Sequence, residues 1–358
     1  MEKLRFKMTA LWAAALIALM FTACPNSAGG SGSGGGGTSA YDVYVSVTSN
    51  NKAYVYKNGS PTALSAEDPA NRLDCFTVKA LGTQVYIAGA GLVHGIAKPR
   101  VWKADGSPYW KGTNGWSSAY DIALHNGKTL VAGKTHAGTD AGASITDISD
   151  PGNPVLTFLY KQTSSENAEA QALCSENGKV YAAGYKENGS TKKAFLWTLP
   201  DGGTVSEVEL GIMQASSHDT GQSIAGVCIQ GSSVYVAGKK LWKVDGTTVT
   251  EINVPDAGII TAVCAHGTAV YAAGKKMNAD LAVWKIEGAS ASLYTTVSAN
   301  NSNIYALCAF GSTFFAAGTI YDGLNKPAWW SIADDLTVTE HILGTDSGAA
   351  YGICVTPQ

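Results

Sequence analysis

Any chemistry done by this 358-residue chain has to draw on its six histidines, 28 acidic residues, seven cysteines or clustered aromatics. Metal-assisted hydrolysis needs ligands at close spacing, yet His94, His125, His136, His218, His266 and His341 form no His-Glu-x-x-His or comparable pair. The cysteines lack metal-ligand spacing too, so the residues call for no metal and no cofactor. No nucleophile elbow, phosphate-binding loop, dinucleotide fingerprint or calcium loop stands out. Acidic pairs such as Asp334-Asp335 fall in expected turns and do not define the carboxylate separation a glycosidase uses. His125 and His266 stand just before expected turns, where a solvated histidine is the simplest reading.

Aromatic side chains offer more. Between Ser107 and Tyr120 the chain carries Tyr109, Trp110 and Trp116, both tryptophans lying outside the repeat described below. Exposed aromatics form platforms for sugar rings or anchors for a protein partner, and these three are the candidate platform. The structural alternative is that they cover the outer edge of one repeat unit.

Cys24 is placed for covalent modification. Lys3, Arg5 and Lys7 precede an uncharged run from Met8 to Phe21 and then Thr22-Ala23-Cys24. Those 14 residues are too few to cross a hydrocarbon core of about 30 Å as a stable helix, but suit a cleaved export signal. Phe21-Thr22-Ala23-Cys24 resembles the lipobox of bacterial lipoproteins, with Phe21 where leucine is commonest. The resemblance implies diacylglycerol on Cys24, cleavage before it, and a membrane as the first partner. Residues 1–23 are then a signal peptide, and 24–40 a lipidated cysteine with a tether. Asn26 to Ala40 is almost all Gly, Ser, Ala and Thr, too apolar-poor to fold and with a reach of roughly 20 Å. Pro25, in place of an aspartate after Cys24, favours an outer membrane within a cell-envelope location.

The elements that position these residues follow from a repeat. Val85–Gly89, Leu130–Gly133, Val180–Gly184, Val234–Gly238, Val270–Gly274 and Phe314–Gly318 repeat a Val-Tyr-Val-Ala-Gly phrase, with closing glycines 44, 51, 54, 36 and 44 residues apart. Such periods mark stacked supersecondary units. A turn and an apolar segment precede each phrase, and a strand carrying a tryptophan follows most of them: Trp102, Trp197, Trp242, Trp284 and Trp330, with Tyr56 in the same role. Val43–Val47 supplies a seventh phrase without its preceding strand, and Ala350–Cys354 supplies that strand without its phrase. The expected fold is an all-β propeller over residues 41–358, of seven four-stranded blades, closed by pairing the last strand with the first; six or eight blades remain open. Cys174, Cys228, Cys264 and Cys308 each precede the repeat glycine by ten residues, Cys354 fits the same slot, and Cys75 does not. Equivalent slots on successive blades are expected to be too far apart to bridge, so these read as buried thiols.

The mature repeats resemble those of a group of bacterial surface lipoproteins, Gly-x-x-Val-Tyr-Val-Ala-Gly and then Ala-x-x-Trp-Lys, as in Val270–Gly274 followed by Ala282-Val-Trp-Lys285. Blade three departs: Ala143–Leu156 lacks the tryptophan and resembles the Asp-Ile-Ser-Asp-Pro repeat of other extracellular propellers. Both resemblances imply surface propellers, and neither implies a reaction. Cleavage before Cys24 removes three basic residues and one acidic residue, taking the net charge from −3 to −5, which argues against nucleic acid as a partner. Two function classes follow: a binding or scaffold module for a protein or glycan, and a secreted polysaccharide hydrolase or lyase. Clustered carboxylates at one mouth of the central channel would favour the enzyme, and a shallow aromatic or mixed polar face would favour binding.

Overall fold

The computed structural model describes residues 41–66, 72–113, 117–137, 139–163, 166–214, 224–298 and 302–358. They form seven four-stranded antiparallel sheets, the blades of a propeller. Six blades are consecutive meanders. Blade 1 joins the two ends of the chain, because Gly348–Pro357 pairs with Tyr41–Ser49, which continues to Lys52–Lys57 and Ser60–Ala63. The seventh phrase and its missing strand thus meet as the sequence predicted.

The innermost strands are Gly348–Pro357 in blade 1, Leu73–Leu81 in blade 2, Ser118–His125 in blade 3 and Glu166–Glu176 in blade 4. Gly226–Gln230, Ala257–His266 and Asn303–Phe310 complete the ring in blades 5, 6 and 7. Each touches the innermost strand of the next blade, round to the start. The repeat phrase forms the second strand, one step out from the axis. Turns such as Asn126-Gly127 and Asn177-Gly178, with positive φ at both residues, have the geometry that matches the twist of two-residue hairpins.

Bulges explain the repeat glycine. In blades 2, 3, 4, 6 and 7 the register between innermost and second strands slips opposite that glycine. A Cβ on Gly184 would lie 1.9 Å from the Glu169 carbonyl oxygen, and Gly89, Gly133, Gly274 and Gly318 meet the matching carbonyl equally closely. Blade 1 has the same slip, with Val47 in the glycine's place.

Seven apolar clusters fill the seven inter-blade interfaces. In five, a fully buried tryptophan from the third strand packs against the preceding blade: Trp102, Trp197, Trp242, Trp284 and Trp330. Tyr56 takes that place, half-buried, between blades 7 and 1. Between blades 2 and 3 the slot holds Thr146, opposite Val131. None of the six cysteines among the described residues forms a disulfide, and burial pushes the thiols of Cys75 and Cys354 up to about 12, so they are inert at neutral pH.

Candidate binding site at the channel mouth

Two residues singled out from the sequence, Cys24 and Trp116, lie outside the described residues. Trp110 is 7% exposed, in the cluster with Val101, Ile122, Val131 and Ile148 between blades 2 and 3. A ring so enclosed offers no face to a ligand; it covers the blade edge, the structural alternative given above. Tyr109 is half-buried, its ring 4.9 Å from Tyr86 and its hydroxyl donating to the Ile148 carbonyl at 3.3 Å. His125 is also not solvated: it is 8% exposed, and its Nε2 lies 2.6 Å from Asp201 of the next blade. His266 is half-buried with its ring 5.2 Å from Phe314. These two histidines stand before turns, as expected, but the turns pack on neighbouring blades.

The bulges themselves build a site. At each slip one residue of the innermost strand is left without a cross-strand partner: Tyr351 in blade 1, Phe76, Tyr120 and Gln171 in blades 2 to 4, and Thr261 and Tyr305 in blades 6 and 7. A bulge re-aims its side chain, and the innermost strand has no neighbour on its axial edge. All six sit near the leading end of the channel, where the innermost strands begin, and each reaches the next blade.

The contacts run round the ring. Tyr305 lies 5.1 Å from Tyr351, and Phe76 lies 5.2 Å from Tyr120, each pair tilted by 34°. Tyr120 donates to Glu169, which also receives Tyr185 and the Gln171 amide at 3.2 Å. The Gln171 carbonyl accepts from Ile224 N at 2.9 Å, and the Thr261 hydroxyl donates to the Ile304 carbonyl. Tyr351 feels the charges of Asp74 and Arg72, which pair at 2.9 Å. Burial raises the Tyr120 and Tyr351 hydroxyls above the ordinary tyrosine range, with Glu169 adding to the rise at Tyr120 and Tyr305 to that at Tyr351. Both are neutral at physiological pH.

Deeper in the channel, Lys79 occupies the slot that holds cysteine in five blades. Its ammonium bonds Asp121 at 2.8 Å and the Leu173 carbonyl at 3.1 Å, joining blades 2, 3 and 4. Asp121 further accepts from Leu173 N and Ile122 N. Among the described residues no group of three or more His, Cys, Asp or Glu side chains is gathered to hold a metal ion. A cleft beside Arg100 and Trp102 has a volume of about 10 Å³, room for roughly one water and far below a ligand pocket.

No family model and no curated protein matches the chain. Solved structures do. A puromycin-hydrolysing peptidase of Mycobacterium tuberculosis superposes with TM-score 0.55 at 10% identity, over 85% of this chain and 53% of the peptidase. The WD40 β-propeller domain of Doa1 gives 0.51 at 12% identity, over 81% and 88% of the two chains. A chain of the mitotic checkpoint complex gives 0.51 at 11%, over 82% of each. The chain thus spans about half the length of the peptidase it resembles, and at these identities the likeness is one of fold.

Proposed function

We propose that this chain is a lipid-anchored, extracytoplasmic binding module of the bacterial envelope, and that its docking face is the leading mouth of the propeller channel. The observation carrying the docking face is the arc of bulged residues, in which aromatic rings from blades 7, 1, 2 and 3 meet polar groups of blades 4 and 6. Such a mouth fits binding better than hydrolysis. Asp74 is paired with Arg72, and Glu169, two blades away, accepts from three donors, so neither stands ready as a general acid or base. The propeller fold, used widely for binding, agrees with this reading.

The anchor rests on the lipobox resemblance at Cys24. Tyr41, the first described residue after it, pairs with Pro357, which ends the innermost strand of blade 1 at the far end of the channel.

Labelling the full chain with an alkyne fatty acid in a bacterial host tests the anchor; the label should vanish in Cys24→Ser, and its persistence would overturn the assignment. Hydroxyl-radical footprinting of the membrane-bound protein, with and without a solubilised envelope extract, tests the face. Protection at Tyr351 and Tyr305 is expected, and protection confined to the outer strands would exclude the mouth.

A further inference from the structure

We infer that the mouth recognises an uncharged saccharide, one sugar ring lying on Tyr351; this rests on the docking face proposed above. The charges named at the mouth are matched. Arg72 holds Asp74 through both carboxylate oxygens, at 2.9 and 3.1 Å, and Lys79 holds Asp121. Glu169 is engaged by Tyr120, Tyr185 and Gln171. An anion such as a phosphate therefore meets the Asp74 and Glu169 carboxylates beside the one guanidinium, and a cation meets carboxylates already engaged by Arg72, by Lys79 or by neutral donors.

What remains is neutral and amphipathic. Tyr351 is 37% exposed although one side of its ring lies against Tyr305, so the open area is the part Tyr305 leaves uncovered. Phe76 and Tyr120 form a second aromatic pair two blades on. Between and beyond them stand hydroxyls and amides of both hydrogen-bonding senses: Tyr305, Asn303, Thr261 and Gln171. A pyranose presents C–H faces to rings and hydroxyls to such groups, and aromatic faces supply the larger part of that kind of contact. A ligand lacking a ring leaves the open part of Tyr351 uncovered.

The test titrates the full chain, held in detergent micelles, with malto-, cello-, xylo- and N-acetylchito-hexaose, and with arginine- and lysine-rich hexapeptides as charged counterparts. One or more oligosaccharides should bind, and Tyr351→Ala should weaken that binding by roughly tenfold or more while Tyr351→Phe, which keeps the face, retains it. Melting curves on each variant separate lost binding from lost fold, and the exposure of Tyr351 favours a folded alanine variant. No oligosaccharide binding at millimolar concentration overturns the inference. Peptide binding that is sensitive to Tyr351→Ala also overturns it but leaves the docking face standing. Oligosaccharide binding indifferent to Tyr351→Ala overturns both.

Discussion

Trp110, on the outermost strand of blade 2, fills the inter-blade space that Thr146 of blade 3 leaves without a tryptophan. In five interfaces the large ring comes from the downstream blade; here it comes from the upstream one, and Val131, the cross-strand partner of Thr146, lies in the same cluster. The two residues should therefore compensate each other. Trp110→Ala is expected to destabilise by about 3 to 5 kcal/mol. Thr146→Trp alone should overpack the same space, whereas added to Trp110→Ala it should restore part of the loss. Denaturant titration of the two single variants and the double variant decides; strictly additive losses would refute the exchange.

The repeat glycine makes a second test. Gly184→Ala drives a Cβ into the Glu169 carbonyl, and relief requires moving backbone in two strands. A loss of about 3 kcal/mol or more is expected. Gly59→Ala meets no atom within 4 Å and carries only the strain of its positive φ, about 1 kcal/mol. Equal losses at the two sites would mean that the bulge does not set the requirement.

Acid sensitivity should localise to the closure of the ring. Asp42 accepts from Lys57 at 2.7 Å, Asn58 at 2.7 Å and Gln358 at 2.8 Å, and these bonds hold its carboxyl down at about 2, the Lys57 bond contributing most. The folded value lies below the unfolded one of about 3.9, so the stabilisation is full above that value and fades as pH falls through 2. With Lys57 half-exposed, about 1 to 2 kcal/mol is expected. Melting temperature against pH should flatten between 5 and 2 in Asp42→Asn; an unchanged slope would assign the acid step elsewhere.

The channel ion pair predicts an order of severity. Asp121→Ala takes the carboxylate from the Lys79 ammonium, which keeps the Leu173 carbonyl, and from two backbone N–H groups, and should cost about 3 kcal/mol. Lys79→Met leaves Asp121 its two N–H donors and should cost distinctly less. Chemical denaturation of both variants checks this, and the reverse order would show that Lys79, not Asp121, organises the site.

Much of the fold was legible because propeller blades repeat residue type as well as shape. The glycine, the tryptophan and the cysteine slot recur, and the split copy in Val43–Val47 and Ala350–Cys354 discloses the closure. The mouth was less legible: Phe76, Tyr120, Gln171, Thr261, Tyr305 and Tyr351 share a position, but only three of the six, the tyrosines, share a residue type. The signal was the slot itself, since each stands three residues before the position of Lys79, Ala123, Cys174, Cys264, Cys308 or Cys354. Between the two readings of Trp110, platform or blade-edge cover, its sequence neighbours do not decide, because its burial depends on a side chain missing from the next blade. That absence was visible at Ala143–Leu156, but its consequence for a residue on another strand was not. His125 failed similarly, its partner Asp201 being 76 residues away.

Tyr41 pairs with Pro357, while Tyr351 stands six residues back along the same strand, about 20 Å away at the opposite end. If the chain is held from its N-terminal side and pulled at the mouth, the load runs lengthwise through the first strand of blade 1. That strand is bonded on one side to Gly348–Pro357 and on the other to Lys52–Lys57. Its hydrogen bonds lie across the pull, so they share it and must fail together instead of opening one at a time. Closing the ring with the chain's own two ends thus sets the first strand between two ladders that would carry such a load in shear.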